Sequence, residues 1–251
     1  MALLNVHFDG TSINKQSGMW VIMPPGKGPF PVLYLLHGLS DDHTIWLRRT
    51  SLERYVEDLN LIVVMPDGHR SFYINDPRPG GLAYEDHITK DVVGFCDRVF
   101  PTVPRREARA VAGLSMGGYG AIMLALKNPG LFGAAASHSG AVGFFHKTGH
   151  SRPDFKPLAD ALGARYDCHR LASQLKRDKT HKLPALRFDC GVDDFLLEDN
   201  RRFRTHLVKS GIPHEYVEHP GSHNWAYWDT HIQETLPFVM RHLKGSGKTR
   251  P

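Results

Sequence analysis

The pattern of hydrophobic and polar positions predicts an antiparallel hairpin followed by a parallel sheet. Residues 3–8 and 19–23 are predicted strands separated by a turn at Asp9-Gly10. Beyond the breaker Pro24-Pro25-Gly26, the apolar runs become short and continuous and alternate with helical segments, which is typical of a parallel sheet covered on both faces. The further predicted strands are residues 32–36, 61–65, 110–113, 132–137, 185–190 and 215–217.

The segments between these strands carry helical patterns, so the fold class we expect is α/β with right-handed crossovers. The predicted helices are residues 51–59, 84–100, 119–127, 198–209 and 225–243.

One long segment, between the strands ending near Ser137 and beginning near Ala185, interrupts this alternation. It has helical potential at residues 157–162 and 169–177. Insertions of this length usually cover a functional site, so we expect a lid or cap at about 141–182, with a decorative surface loop as the alternative.

Composition and cysteine usage fit one globular unit in a reducing compartment. The chain has 251 residues, 41% hydrophobic and 23% charged, with no internal repeat or linker, and we expect one domain over 1–251. Cys96, Cys168 and Cys190 are odd in number and form no CxxC pair, which argues against disulfides and zinc. The longest apolar run, residues 121–126, falls far short of the ~20 residues that span a bilayer. We therefore expect a soluble, cytoplasmic protein without a membrane partner.

The net charge of +5 does not indicate a nucleic-acid partner. The basic residues are spread in pairs such as Arg48-Arg49, Arg105-Arg106 and Arg201-Arg202, with no long basic block. The partner we expect is a small molecule, and self-association into a homo-oligomer stays open.

The most informative string is Gly-Leu-Ser-Met-Gly-Gly at residues 113–118, a G-x-S-x-G motif where a strand ends and a helix begins. In a nucleophile elbow the serine occupies a strained turn, and small residues two positions before and after it let the strand and helix backbones approach. This context makes Ser115 the candidate nucleophile.

A serine of this kind needs a base and an orienting acid, which follow it in the order Asp or Glu, then His, on loops after later strands. Asp193 and Asp194 follow the strand at 185–190, and His223 follows the last predicted strand. We favour Asp194, three residues after Gly191, and the choice between the two neighbouring carboxylates stays open at the level of geometry.

Position selects His223 among the sixteen histidines, because it lies in a Gly-Ser-His turn after the last strand. His219 and His231 are expected to be surface or packing residues. The string from His214 to His219 resembles the HExxH zinc motif but spaces its histidines five apart, which in a strand places them on opposite faces. With neither a G-x-G-x-x-G nor a Walker loop, we expect no cofactor and no metal.

Two backbone N–H groups are expected to form an oxyanion hole. One belongs to Leu39, in the His-Gly-Leu-Ser loop after the strand at 32–36, and the other to Met116, directly after the nucleophile. His37 is expected to brace this loop rather than to react.

These residues resemble those of the α/β-hydrolase superfamily, in particular the esterase family that includes S-formylglutathione hydrolase (esterase D), tributyrin esterases, feruloyl and acetyl xylan esterases and the antigen 85 mycolyltransferases. The resemblance covers nearly the whole chain from residue 20 onward, and it implies an α/β-hydrolase fold with Ser115, Asp194 and His223 as nucleophile, acid and base. Formylglutathione hydrolases ordinarily carry a cysteine-containing stretch where this chain has Ser-Asp-Asp-His at 40–43. The segments that carry the resemblance are residues 34–40, 46–50, 65–68, 113–118, 191–199 and 221–225.

The function we predict is a serine carboxylesterase acting on short-chain acyl esters, from acetyl to butyryl. Thioesterase, S-formylglutathione hydrolase-like, acyltransferase and feruloyl or acetyl xylan esterase activities are alternatives with the same residues, and a non-catalytic hydrolase-fold binding protein is a remote one. Aromatic residues near the site loops are candidates for substrate contact or for ordinary packing. Phe145 and Trp228 belong to this group, and the four we single out for substrate contact are Trp46, Tyr73, Phe144 and Trp225.

Overall fold

The computed structural model describes residues 1–146 and 155–244, and its centre is one eight-stranded sheet. The strand order is β1-β2-β4-β3-β5-β6-β7-β8, with β1, β2 and β4 joined by antiparallel pairings and the other neighbours parallel. The strands are β1 (Ala2–Gly10), β2 (Lys15–Met23), β3 (Val32–Leu36), β4 (Ile62–Pro66), β5 (Arg109–Leu114), β6 (Ala134–His138), β7 (Ala185–Gly191) and β8 (Glu215–His219).

Helices flank this sheet and occupy the connections between the parallel strands. A π-helical stretch, His87–Val92, joins α3 to α4, and short 3₁₀ turns lie at Thr11–Ile13 and Arg106–Ala108. The helices are α1 (Ile45–Arg49), α2 (Leu52–Val56), α3 (Tyr84–Asp86), α4 (Val93–Val99), α5 (Met116–Lys127), α6 (Lys156–Tyr166), α7 (Cys168–Arg177), α8 (Leu197–Lys209) and α9 (Trp225–His242).

The α/β fold class is confirmed, and the differences from the predicted elements are local. The hairpin turn predicted at Asp9-Gly10 is wrong, because β1 pairs with β2 through Gly10 and the chain reverses at Thr11–Ile13. The reversal ends at Asn14, whose φ of 51° lies in the left-handed region. Helix α1 was not predicted, because five residues are too few to display a helical period.

The central strands are apolar without alternation because both of their faces are covered. All five residues of β3 are buried. Tyr34 and Leu36 pack into the core on one face of the sheet, and Leu33 and Leu35 pack into the core on the other. Burial on both faces is what a parallel sheet between two helical layers requires.

Helix α5 is buried on every side, because it lies between the sheet and the helices that follow β6. Each residue from Met116 to Leu126 is buried, and α5 contacts β5, β6 and α7. A helix enclosed in this way holds the residue at its N-terminus in a fixed position relative to the sheet.

The expected lid is described at residues 141–146 and 155–182, while its residues 147–154 lie outside the described residues. Helices α6 and α7 pack into the same core as α5. The Tyr119 hydroxyl donates to the Tyr166 carbonyl at 2.9 Å, and the Tyr166 hydroxyl donates to Glu85 at 3.0 Å. The segment is thus fastened to the body of the protein, and its role as a cover stays a prediction.

The loops that carry the candidate site open at one edge of the sheet. Leu36 of β3 pairs with Gly113 of β5, and Gly191 of β7 pairs with His219 of β8, all in parallel register. The carboxyl ends of parallel strands share an edge, so the loops after β3, β5, β7 and β8 converge there. Within the described part of the chain, no helix combines the length and the apolar character needed to cross a membrane.

Candidate active site

Ser115 occupies a strained turn between β5 and α5. Its backbone has φ 54° and ψ −115°, a conformation that residues other than glycine rarely adopt. A Cβ added to Gly113 would lie 2.6 Å from the backbone of Gly117, and one added to Gly117 would lie 2.5 Å from the Leu36 carbonyl oxygen. The two motif glycines are therefore required by the close approach of strand and helix.

The structure brings Ser115, His223 and Asp194 together. The His223 Nε2 lies 2.9 Å from the Ser115 Oγ, and the His223 Nδ1 lies 2.8 Å from Asp194 Oδ2. The Asp194 side chain is buried, whereas the His223 side chain is 18% exposed. Asp193 is exposed, so the choice that the sequence left open falls to Asp194.

The surroundings of Asp194 keep its carboxyl group ionised. Burial raises the pKa of Asp194, but hydrogen bonds from the His223 ring and the Leu196 N–H outweigh this effect, so the pKa lies below its usual value. An ionised carboxylate only accepts hydrogen bonds, so Nδ1 of His223 carries the proton. The Nε2 lone pair is then free to accept the Ser115 hydroxyl.

Two aromatic rings enclose the His223 imidazole. Sequence reasoning counted Trp228 among the aromatic residues near the site loops, but it did not single out Phe195. The ring of Trp228 is buried and meets His223 edge-on at a centroid distance of 5.0 Å. Phe195 lies on the solvent side at 4.5 Å. The Trp228 Nε1 donates to the Ser139 hydroxyl at 3.2 Å, which orients the indole. Only the fold brings these rings to His223.

The predicted oxyanion-hole donors lie at the same edge. Neither the Leu39 N–H nor the Met116 N–H donates a hydrogen bond to another residue within 1–146 and 155–244. The loop that bears Leu39 is fixed by the buried His37, whose Nε2 accepts the Gly68 N–H at 2.8 Å and whose Nδ1 lies 2.7 Å from the Gly38 carbonyl. This bracing agrees with the expectation for His37.

The four aromatic residues predicted to contact substrate fall into two groups. Trp46 and Tyr73 are buried, and their polar atoms donate to the carbonyls of Leu36 and His37, which favours a supporting role beneath the oxyanion loop over contact with a substrate. Trp225 is half-buried against Trp46, and Phe144 is half-buried as well. Both keep part of their surface exposed, and their contact with a substrate stays a prediction.

In the part of the chain that the structure describes, two clusters contain groups that are able to ligate a metal ion. His219, His231 and Glu234 form one of them, where the imidazoles stack at 3.9 Å. Arg187 is paired with Glu234, so a cation already neutralises that carboxylate. The other cluster consists of His146, Asp167 and His169, where the two imidazoles also stack at 3.9 Å. Neither cluster includes a residue of the Ser115 site.

The fold and the site together define the class of protein. In α/β hydrolases the nucleophilic serine lies in a turn between a strand and a helix, and the acid and the histidine follow it after later strands of a mostly parallel sheet. The chain has this arrangement. The family model described as "Putative esterase" matches residues 10–239. The chain belongs to this esterase family and is a carboxylic ester hydrolase.

Individual relatives agree with this assignment. An acetyl esterase of Caldicellulosiruptor saccharolyticus is 27% identical over 96% of this chain and 99% of its own length. Esterase Rv1288 of Mycobacterium tuberculosis is 30% identical, and the aligned region covers 86% of this chain and 54% of that protein. The solved S-formylglutathione hydrolase of Staphylococcus aureus is 29% identical with a TM-score of 0.83, covering 95% of this chain and 98% of its own.

Proposed function

We propose that the protein is a serine carboxylesterase that hydrolyses short-chain acyl esters, from acetyl to butyryl, through an acyl-enzyme. The observation that carries the proposal is the position of the His223 ring, 2.9 Å from the Ser115 hydroxyl and 2.8 Å from the Asp194 carboxylate. This is the geometry in which a serine hydroxyl becomes a nucleophile near neutral pH.

In the acylation step, the Ser115 oxygen attacks the ester carbonyl carbon while Nε2 of His223 takes the hydroxyl proton. Asp194 holds the imidazole in the required tautomer and stabilises the imidazolium that forms. The tetrahedral intermediate collapses as its bond to the alcohol oxygen breaks, and His223 returns its proton to that oxygen. The alcohol leaves, and the acyl group stays on Ser115.

In the deacylation step, water takes the place of the alcohol. His223 accepts a proton from the attacking water, whose oxygen bonds to the acyl carbon. The bond to the Ser115 oxygen then breaks, and His223 protonates that oxygen. In both tetrahedral intermediates the oxyanion accepts from the N–H groups of Leu39 and Met116, which need no reorganisation because the elbow and the His37 loop are fixed.

Two observations support a short acyl chain. The rings of Phe72 and Phe144 stack at 3.9 Å beside Tyr119, and Phe72 is buried. The Phe72 N–H also donates to the sulfur of Met116 at 3.3 Å, so this aromatic group contacts the side chain of the residue that follows the nucleophile. We expect aromatic packing this close to Met116 to limit the acyl group to a small one, and the acetyl esterase relative is named for such a substrate.

A thioesterase of the S-formylglutathione hydrolase kind is the second candidate, favoured by the similarity to the Staphylococcus aureus enzyme. The same three residues would attack a thioester carbonyl, and the leaving group would be a thiolate. Acyl transfer to an alcohol, and aryl or xylan ester hydrolysis, would likewise use the same nucleophile with another acceptor or substrate.

The test is kcat/KM across p-nitrophenyl esters from acetate to decanoate, with S-formylglutathione, methyl ferulate and acetylated xylan alongside. We expect a maximum at acetate to butyrate that disappears in Ser115→Ala. Thr205→Ala, a change to an exposed hydroxyl on α8, is the matched control and should keep the wild-type values. An optimum at long chains would contradict the chain-length proposal, and failure of a fluorophosphonate to label Ser115 would favour a binding protein.

A further inference from the structure

Phe195 is the most solvent-exposed large hydrophobic residue in the described part of the chain, with 76% of its surface accessible. A single exposed apolar residue is ordinary in itself. The position of this one is not, because its ring centroid lies 4.5 Å from that of the His223 imidazole. The most exposed aromatic surface therefore lies against the ring that transfers the proton.

The backbone on both sides of Phe195 is fixed to the acid of the site. The Leu196 N–H donates to Asp194 Oδ1 at 2.8 Å, and the Leu197 N–H donates to the Asp194 carbonyl at 3.0 Å. The Asp194 N–H in turn donates to the Gly191 carbonyl at 3.1 Å. A ring carried on so constrained a turn is pre-organised, which reduces the entropy lost when a ligand packs on it.

The location of Phe195 assigns it to one part of the substrate. His223 gives its proton to the leaving alcohol, so the alcohol portion lies beside the imidazole when the ester bond breaks. Trp228 covers the imidazole from the interior, which leaves the solvent side for the departing group. Phe195 occupies that side, with its ring 4.5 Å from the imidazole.

The charges around Phe195 restrict the leaving group further. Its chain neighbour Asp193 is exposed, and Glu198, three residues on, has a side chain that is 66% accessible. Arg201 is already paired with Glu198 and Glu218. An anionic leaving group would meet like charge here, whereas a neutral aromatic or apolar one would gain contact with the phenyl face.

We propose that Phe195 forms a leaving-group subsite that favours esters of neutral, aromatic or bulky apolar alcohols. The inference rests on the proposed function and names the alcohol side of its substrate. Phe195 contributes by holding the alcohol portion beside His223 until the proton is transferred.

The experiment compares benzyl butyrate with methyl butyrate. The two esters give the same butyryl-enzyme, and their alcohols have nearly equal acidity, so the ratio of the two kcat/KM values isolates contact with the alcohol portion. For Phe195→Ala we expect this ratio to fall roughly three- to tenfold, the size of one aromatic contact. Phe195→Leu should give an intermediate ratio. Val208→Ala, at an exposed apolar position on α8, should keep the wild-type ratio.

Each outcome decides one question. If Phe195→Ala lowers both constants together and leaves the ratio unchanged, Phe195 only positions His223 and the subsite is refuted. An unchanged ratio with unchanged constants also refutes it. Either result leaves the esterase proposal intact, because that proposal is tested separately, by whether Ser115→Ala loses its activity on methyl butyrate.

Discussion

Within residues 1–146 and 155–244, an imidazole links a hydroxyl to a carboxylate through its two ring nitrogens in three places, one of them at Ser17, His87 and Asp91. The other two arrangements compare most directly, and only one of them is a candidate active site. In the first, His223 links Ser115 to Asp194. In the second, the His138 Nε2 lies 3.1 Å from the Thr235 hydroxyl, and the His138 Nδ1 lies 2.8 Å from Asp189 Oδ2. Connectivity and distances are nearly the same in both.

The differences lie in what surrounds each arrangement. Thr235, His138 and Asp189 are fully buried, and Thr235 sits in the interior of α9. A substrate carbonyl cannot reach its hydroxyl. Ser115, by contrast, is partly exposed on a strained turn, beside the Met116 N–H, which donates to no other residue that the structure describes. Three properties therefore distinguish the candidate active site from a structural network of the same residue types. They are the solvent exposure of its hydroxyl, the strain in its backbone and the nearby backbone N–H groups that are available to a substrate.

The largest expected effect is on kcat, when removal of the Ser115 hydroxyl is compared with removal of the Thr235 hydroxyl. Ser115→Ala should lower kcat by about 10⁴-fold or more, because the nucleophile is lost. Thr235→Val should keep kcat within about threefold and lower the free energy of unfolding by about 1–3 kcal/mol, because a buried imidazole nitrogen loses its partner. Hydrolysis of p-nitrophenyl acetate and urea unfolding measure both. Equal loss of activity in the two variants would contradict the comparison.

The carboxylates should separate in the same way. Asp194→Asn should lower kcat by about 10³–10⁴-fold, because the amide no longer selects the tautomer that leaves Nε2 free. Asp189→Asn should act on stability instead, by about 3 kcal/mol, because it breaks a buried pair that the Tyr227 hydroxyl also joins at 3.0 Å. The same two assays apply, and a stable but inactive Asp189→Asn variant would be evidence against a purely structural pair.

A further prediction concerns the proposed oxyanion donors, which belong to the Ser115 site and not to the buried arrangement of Thr235, His138 and Asp189. Leu39→Pro removes one N–H and should lower kcat about 10²-fold relative to Leu39→Ala, which shortens the side chain and keeps the N–H. Thermal unfolding of both variants checks that the fold survives. Similar kcat values for the two would place the second donor elsewhere.

The smallest expected effect is on the pH dependence of stability. The pKa of Asp194 is held below its usual value despite burial, chiefly by its hydrogen bond with His223. A lowered folded-state pKa stabilises the fold above the unfolded-state pKa of about 3.9, and this contribution is lost as the pH falls. Asp194→Asn should therefore flatten the decline of the free energy of unfolding below pH 5, by at most about 1.4 kcal/mol per pH unit. Urea unfolding at pH 5, 4 and 3 tests this.

The central sheet could be predicted from the sequence because its signal is local. Residues 32–36 form one continuous apolar run, and β3 has those bounds. The elbow was equally visible, since Gly113 and Gly117 are required by backbone contacts that any such turn imposes. The order of Ser115, Asp194 and His223 followed from the topology that the elbow implies.

Features that depend on side-chain direction could not be predicted in this way. Asp193 and Asp194 are neighbours, and only the turn fixed by the Asp194 backbone decides which one faces His223. Trp46 and Tyr73 lie near site loops in the sequence, yet both rings turn inward. Phe195, in contrast, turns outward. In all three cases the tertiary packing of the loop that carries the residue sets the direction of its side chain.

The enclosure of helix α5 has a consequence for how the protein loses activity. Amide groups in a segment buried on every side exchange their hydrogens only when a large part of the protein opens. The nucleophile stands at the N-terminus of that segment, so local fraying does not displace it. We therefore expect the elbow to belong to the most slowly exchanging part of the molecule, and inactivation by denaturant to coincide with the global transition rather than to precede it.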